Sequence, residues 1–135
     1  MENIFNTKVY YSDTDAYSVV WHGAYLRWLE KGRVDICDQY GFDLTELKKE
    51  DIVLPVAYLD IKYKSPAKLN DEITIKTRIS KITPLYIIFF QEICSKDLKI
   101  TYVQANVKVV AVNNEGKLYK KMPQKLYEAF KNEIK

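Results

Sequence analysis

Apolar residues after His22 recur at three- and four-residue spacing, which predicts a long amphipathic helix. The recurring positions are Tyr25, Trp28, Leu29, Gly32, Ile36 and Tyr40, while Arg27, Lys31, Asp35 and Asp38 fall mainly on the other side. Gly41 is then placed to cap the helix C-terminus. Gly32 lowers helix propensity by about 1 kcal/mol relative to alanine, so we expect the helix to approach a sheet closely at that point.

Four strands are predicted after the helix, three of them from alternation with a period of two. The alternating positions are Ala57, Leu59, Ile61 and Tyr63, then Ile73, Ile75, Thr77 and Ile79, and last Val103, Ala105, Val107, Val109 and Ala111. The run from Tyr86 to Cys94 is apolar on both faces at its start, as in a strand that is covered on each side. Turn residues lie at Asn70-Asp71, near Thr83-Pro84, at Lys96-Asp97 and at positions 113–116. A shorter β-branched and aromatic run, Val9 to Tyr11, predicts one strand before the helix.

Two shorter helices complete the predicted elements. The residues Asp43-Leu44-Thr45-Glu46 have the form of a capping box and predict a helix through about Lys49. An amphipathic stretch, Gln124 to Ile134, follows Pro123. One strand, one long helix and four strands form an α+β order in which a single antiparallel sheet buries one helix. The length and the lack of repeats predict one domain over residues 1–135.

Composition and charge exclude several classes of protein. The net charge of +3 is spread over many lysines, without the clustered basic stripe that is typical of a nucleic-acid binder. No segment approaches the length of a membrane span, and residues 1–5 carry neither the basic nor the apolar region of a signal peptide. Cys37 and Cys94 lie outside any Cys-x-x-Cys spacing and are predicted to be buried thiols in a reducing compartment. We therefore expect a cytoplasmic protein.

The side chains best suited to catalysis lie between Tyr10 and Arg33. Asp13 and Asp15 are separated by one residue, and His22, the one histidine of the chain, follows at the threshold of the long helix. A helix that begins near Gly23 directs its unpaired backbone N–H groups toward these side chains. A carboxylate, an imidazole and free amide donors are the parts that an acyl-transfer site needs.

Other interpretations of the same residues are open. His22 and the aspartates also suit capping or packing roles beside a helix start. Ser12 with Asp15 and His22 suggests a hydrolase triad, but no Gly-x-Ser-x-Gly elbow surrounds the serine. A metal site is also suggested by Asp13, Asp15 and His22, but the second His or the Cys that most transition-metal sites use is missing. The sequence therefore predicts neither a metal nor a cofactor.

The candidate stretch reads Tyr11-Ser12-Asp13-Thr14-Asp15-Ala16, then Val19-Val20-Trp21-His22-Gly23-Ala24-Tyr25-Leu26, then Glu30 and Arg33. This pattern closely resembles the signature of the 4-hydroxybenzoyl-CoA thioesterase-like branch of the hotdog-fold acyl-CoA thioesterases. Tyr63-Lys64-Ser65-Pro66-Ala67 and Asp71-Glu72 also look like that family, so the resemblance covers nearly the whole chain. It implies a hotdog fold, one antiparallel sheet wrapped around a long central helix.

The resemblance implies roles for individual residues. Asp15 corresponds to the catalytic carboxylate of the family, and His22 to a histidine that the short acyl-CoA members carry seven positions later. Gly23, Tyr25, Glu30 and Arg33 become candidate substrate-binding residues. Two protomers of that family join their sheets edge to edge, with active sites at the interface, so a homodimer or a homotetramer is expected.

Two residues depart from the family pattern. Ser18 stands where glycine is usual, and glycine is chosen where φ is positive or a ligand approaches the backbone. Ala24 stands where asparagine is frequent and removes a side-chain donor from the helix start. Neither change removes the proposed chemistry.

The sequence as a whole favours hydrolysis of an acyl-CoA thioester. Asp15 would act as nucleophile or general base, and the helix start near His22 would hold the oxyanion. A hotdog dehydratase, a non-enzymatic acyl-CoA binding module and a tyrosine-rich scaffold protein are the alternatives. Glu30 and Arg33, three residues apart, can also pair on the helix surface.

Overall fold

A five-stranded antiparallel sheet wraps around one 18-residue helix in a computed structural model that describes residues 2–132 and 134. The elements are β1 (Glu2–Lys8), α1 (His22–Gln39), α2 (Leu44–Lys49), β2 (Val56–Tyr63), β3 (Glu72–Ile82), β4 (Ile87–Ser95), β5 (Thr101–Val109) and α3 (Gln124–Lys131). The strand order across the sheet is β1-β3-β4-β5-β2. The predicted α+β class, with a single antiparallel sheet around a long helix, is confirmed.

The two sequence periodicities meet in the core. Helix α1 buries the stripe Ala24, Tyr25, Trp28, Leu29, Gly32, Ile36 and Cys37. The sheet buries the alternating set Ile73, Ile75, Thr77, Ile79, Ile87, Phe89, Gln91, Ile93, Val103, Ala105, Val107 and Val109. Side chains two apart on a strand share a face, so both predicted patterns face each other across one interior.

Gly32 lies where the helix passes close to the sheet. A Cβ at this position would lie 2.5 Å from Thr77 Oγ1 and 2.9 Å from both Gln91 Nε2 and Ile75 Cγ2. Any larger side chain would displace these buried groups. The expected close approach at Gly32 is confirmed, and it accounts for a glycine in the helix interior.

The predicted first strand was wrong in its position. Val9 to Tyr11 is not the strand; β1 comprises Glu2–Lys8 and pairs with β3 from Glu2↔Arg78 to Lys8↔Glu72. The backbone of Tyr11–Asp13 forms a 3-10 turn instead. The carboxylate of Asp13 accepts a hydrogen bond from the Tyr10 N–H at 2.9 Å. That local contact holds the backbone in a turn despite the β-forming residues.

Strand β2 forms an open edge of the sheet, because it pairs with β5 alone. Leu59 and Ile61 are half-buried, as the alternation predicts, but Ala57 and Tyr63 are exposed. Outward-facing Tyr58 is 60% exposed. The inward alternation predicted for this strand was therefore only half right, because the edge extends beyond the cover of the helix.

The shorter helices follow their predicted starts. Asp43 caps α2, with Oδ1 accepting from the backbone N–H groups of Thr45 and Glu46. Helix α3 ends at Lys131, before the predicted end, and buries Phe130; the predicted stretch continues over residue 133, which lies outside the described residues. None of the helices in this part of the chain has the length and apolar character that a bilayer crossing requires.

Candidate active site

The loop between β1 and α1 is held together by Asp13, which is buried. Its Oδ2 accepts from the Tyr10 N–H, and its Oδ1 accepts from Arg27 Nη2 on the helix at 2.9 Å. Its backbone oxygen accepts from the Trp21 N–H at 3.0 Å. One residue thus ties together the start of the loop, its end and the first turns of α1. Asp13 lies in the 3-10 turn, so it does not share an extended strand face with Asp15.

Asp15 occupies an exposed turn between Asp13 and the helix. Its N–H donates to the Val19 oxygen at 2.9 Å, and its own oxygen accepts from the Ser18 N–H at 3.0 Å. The side-chain Oδ1 accepts from the Tyr17 N–H at 2.8 Å. Among the described residues no donor contacts the second carboxylate oxygen. The carboxylate is therefore held by one oxygen and open at the other.

Ser18 closes this turn with a φ of +63°. Positive φ is the left-handed region that glycine adopts without strain. Ser18 therefore adopts, with a side chain, a backbone conformation that favours glycine.

Helix α1 begins at His22, one residue before the expected start near Gly23. Trp21 is the N-cap, and its side chain makes no capping hydrogen bond. The Ala24 N–H bonds to the Trp21 oxygen at 3.0 Å. Within the described chain, the N–H groups of His22 and Gly23 have no intramolecular acceptor. They form a small donor pair at the positive end of the helix dipole.

Gly23 has a steric reason to be glycine. The indole ring of Trp21 folds against it, so that any Cβ at this position would collide with Trp21. The same ring meets the His22 imidazole edge to face, with centroids 5.8 Å apart. Trp21 therefore forms one wall of the helix start.

A cavity of about 260 Å³ lies beside His22. Its lining comprises Val20, His22, Tyr25, Tyr63, Lys64, Ser65 and Pro66. The Tyr63 hydroxyl donates to the His22 oxygen at 3.3 Å, which joins the last residue of β2 to the helix start. Asp15 does not line this cavity. The single chain thus places His22 in a pocket and Asp15 in the neighbouring exposed turn.

Tyr25 is buried below this cavity. Its hydroxyl oxygen accepts from the Ala67 N–H at 3.0 Å, and its ring packs edge to face against Trp28 and Tyr63. Burial raises the pKa of the Tyr25 phenol, and the Ala67 N–H opposes part of that rise. The neutral phenol therefore anchors the segment after β2 to the helix, and a small part of it reaches the cavity wall.

Glu30 and Arg33 lie elsewhere. A helix rises about 1.5 Å per residue, so Arg33 is roughly 16 Å along α1 from His22. Both residues line a second cavity of about 230 Å³. Arg33 Nη1 donates to Gln91 Oε1 at 3.1 Å. Within the described residues, Glu30 and Arg33 form no ion pair inside 4 Å, so the anticipated pairing is not formed.

Gln91 is a polar residue that the sequence pattern concealed. It occupies an inward position of β4 and is fully buried. Its Nε2 donates to the Leu29 oxygen at 2.8 Å and to Thr77 Oγ1 at 2.9 Å. The sequence signal for this residue is its position between Phe89 and Ile93 in an apolar run, which indicates a buried amide. A buried amide needs hydrogen-bond partners for its polar atoms.

The arrangement at the helix start suits reactions in which a carbonyl oxygen gains negative charge. Two preorganised N–H donors can bind that oxygen, and a carboxylate can supply a nucleophile or base nearby. The described residues contain no group of three or more His, Cys, Asp or Glu side chains arranged to hold a metal ion. Asp13 is engaged by Arg27, which leaves it unsuited to join Asp15 and His22 as a ligand.

Comparison with known proteins assigns this arrangement to a family. The family model described as the Thioesterase-like superfamily matches residues 9–130 of this chain. Acyl-CoA thioesterase YbgC of Haemophilus influenzae is 34% identical over 110 residues, which cover 81% of this chain and 79% of that protein. Acyl-CoA thioester hydrolase YbgC of Escherichia coli is 29% identical over 92% of both chains.

Solved structures agree with the fold. A probable thioesterase from Bartonella henselae has 30% identity and a TM-score of 0.84, with 91% of this chain and all of that chain covered. The DHNA-CoA thioesterase of Staphylococcus aureus has a TM-score of 0.89 at 22% identity, with 97% and 89% covered. The fold, the family match and the named relatives together define a hotdog-fold thioesterase. This chain belongs to the Thioesterase-like superfamily, and the family resemblance seen in the sequence is confirmed.

Proposed function

We propose that this protein hydrolyses acyl-CoA thioesters at the start of α1. The observation that carries the proposal is the pair of unpaired N–H groups at His22 and Gly23, which lie beside the turn that holds Asp15. The two YbgC relatives are named for acyl-CoA thioester hydrolysis, and their similarity to this chain supports the substrate class.

The thioester oxygen lies against the His22 and Gly23 N–H groups while negative charge develops on it. Removing one such donor costs about 3 kcal/mol of transition-state stabilisation in enzymes where it has been tested. The free oxygen of Asp15 removes a proton from water, or attacks the carbonyl carbon itself. The C–S bond breaks, CoA leaves as a thiolate, and water supplies the oxygen of the carboxylate product.

His22 contributes its side chain as well as its N–H. The exposed imidazole, held against Trp21, orients the attacking water or protonates the thiolate. A thiolate is a good leaving group, with an ordinary thiol pKa near 8.5. Orientation of water is therefore the more demanding part of the role.

A homodimer completes the site. Strand β2 has an unpaired edge, and exposed edges of this kind pair readily with another strand. Val56, Tyr58 and Tyr63 are each between 47% and 60% exposed on β2, which supplies apolar surface for the contact. We place the protein in the cytoplasm, because Cys37 and Cys94 are both free and buried and reduced thiols persist in that compartment.

A thiol-release assay tests the function. Acetyl-, hexanoyl-, palmitoyl- and benzoyl-CoA are offered to the native protein and to Asp15→Asn, with each variant checked for folding by circular dichroism. We expect release from at least one ester by the native protein and a loss of several orders of magnitude in the variant. Tight binding of the esters without thiol release would identify a binding module instead. Hydration of an enoyl thioester without hydrolysis would identify a dehydratase.

A further inference from the structure

The cavity around Arg33 is apolar apart from two side chains. Its walls are Val34, Cys37, Leu44, Leu54, Val56, Phe89 and Val109, with Glu30 and Arg33 as the charged members. Burial raises the pKa of the Cys37 thiol to about 12, so this thiol is neutral at physiological pH. A guanidinium in such a wall is the strongest polar feature that a molecule inside the cavity would meet.

The buried network under the helix fixes the direction of Arg33. Gln91 Nε2 donates its two hydrogens to the Leu29 oxygen and to Thr77 Oγ1. Its Oε1 must therefore face Arg33 Nη1, which it meets at 3.1 Å. Gly32 leaves the space for this amide below the helix. Arg33 is thus positioned by a neutral acceptor.

The other donors of Arg33 are unused. A guanidinium carries five N–H groups, and within the described residues only Gln91 accepts from Arg33. None of the remaining nitrogen atoms is sealed in the interior without a partner, so they are accessible. Glu30 lines the same cavity and its charge acts on Arg33 electrostatically, but it is exposed and forms no salt bridge with Arg33 among the described residues. The site therefore offers a charged fork without a protein carboxylate bound to it.

The cavity around Arg33 shares a residue with the dimer edge that we propose. Val56, the first residue of β2, lines the cavity around Arg33, while Tyr63, the last, lines the cavity beside His22. A two-fold axis through the middle of paired β2 edges makes the strands antiparallel. The Val56 end of one subunit would then lie next to the Tyr63 end of its partner. In this dimer the Arg33 cavity of one subunit would lie on the side of the helix start of the other.

We propose that Arg33 selects acyl groups that carry an oxygen acceptor at the far end, a carboxylate above all. The inference rests on the proposed thioesterase function, since it assigns the acyl end of that substrate. At the roughly 30 Å³ that a water molecule occupies in the liquid, a cavity of about 230 Å³ holds about seven heavy atoms. A chain of four or five carbons with a terminal carboxylate fits, and its two oxygens match the guanidinium fork.

The test compares three CoA esters of similar length: hexanoyl-, 6-hydroxyhexanoyl- and glutaryl-CoA. We expect the native protein to have a kcat/KM for glutaryl-CoA at least 10-fold above that for hexanoyl-CoA. The hydroxylated ester separates a neutral acceptor from a charged one and should lie between them. A native preference for hexanoyl-CoA over both oxygenated esters would overturn the proposal.

Arg33→Met removes the donors and keeps the bulk of the side chain. We expect a fall of about 10- to 100-fold with glutaryl-CoA, the range for a lost charge-assisted contact, and less than a threefold change with hexanoyl-CoA. Lys31→Met, on the same helix but outside this cavity, removes one positive charge and should change both by less than twofold. Equal losses with the two esters in Arg33→Met would contradict the selection. If that variant does not fold, Arg33→Lys replaces it and should lose glutaryl-CoA activity alone.

Calorimetric binding separates this inference from the proposed function. Asp15→Asn is titrated with glutaryl- and hexanoyl-CoA, and tighter binding of glutaryl-CoA is expected. If the native protein releases no thiol but Asp15→Asn binds glutaryl-CoA more tightly, hydrolysis is refuted and the role of Arg33 is retained. If the native protein hydrolyses hexanoyl-CoA but Asp15→Asn binds both esters equally, hydrolysis is retained and the role of Arg33 is refuted.

Discussion

Asp13 and Arg27 join the loop between β1 and α1 to the long helix through one hydrogen-bonded ion pair, with Oδ1 and Nη2 2.9 Å apart. Arg27 is about half exposed and Asp13 is nearly buried. Solvent screening weakens the Coulombic part of such a pair. Most of the stabilisation by Asp13 therefore comes from the hydrogen bond that its other oxygen accepts from the Tyr10 N–H. The loop that carries Asp15 is thus held in place by Asp13.

Asp13→Ala should lower the free energy of unfolding by about 1–3 kcal/mol, because it leaves the Tyr10 N–H and the Arg27 guanidinium without their acceptor. Asp13→Asn keeps one acceptor oxygen and should lose less. Urea denaturation provides the measurement. Thiol release should fall several-fold in Asp13→Asn, and a drop as deep as that of Asp15→Asn would mean that Asp13 itself takes part in the chemistry.

Asp15→Asn should lower turnover by orders of magnitude while the fold survives. The amide keeps an oxygen for the Tyr17 N–H but can neither accept a proton from water at neutral pH nor act as a strong nucleophile. Steady-state thiol release and a thermal melt check the two halves of this expectation. Near-native turnover in a folded Asp15→Asn enzyme would exclude the mechanism.

His22→Ala separates the side chain from the backbone donor. The variant retains the N–H that binds the oxyanion, so a loss of about 100-fold, typical of positioned proton-transfer groups, would report the imidazole alone. Steady-state thiol release by the native protein and by the variant provides the measurement. Full turnover in a folded His22→Ala protein would leave only Asp15 and the helix start.

Gly32→Ala should overpack the core beneath the helix, at a cost of about 1–3 kcal/mol. The added Cβ would fall within 2.9 Å of Thr77, Gln91 and Ile75 side-chain atoms. The gain of about 1 kcal/mol in helix propensity offsets part of this cost, so we expect a net loss of up to about 2 kcal/mol in the free energy of unfolding. Lys31→Ala, at the adjacent exposed position, is the matched control and should change stability little. A stabilised Gly32→Ala protein would show that the helix can move away from the sheet.

Activity should survive overnight dialysis against a chelator, since the sequence predicts neither a metal nor a cofactor. The native protein is assayed before and after dialysis, and again after addition of a divalent ion. Activity that is lost on dialysis and restored by the ion would revive Asp13, Asp15 and His22 as a metal site.

Periodicity in the sequence determined the elements that form the core. The spacing of Tyr25, Trp28, Leu29 and Ile36 located α1, and the alternation in β3 and β5 located the inward face of the sheet. These patterns are local and regular, because burial against one partner repeats with the period of the element. The family resemblance in turn drew attention to Asp15 and His22, although their roles remain predictions.

Only the tertiary structure decided how residues distant in sequence combine. The Arg33 contact with Gln91 spans 58 positions, and the Tyr63 contact with His22 spans 41. Pairing with β3 located β1 at Glu2–Lys8, while Asp13 turned Val9 to Tyr11 away from a strand. Periodicity records which face of an element is buried; it does not record which partner buries it. The partner decides whether a buried arginine meets a carboxylate, an amide or a substrate.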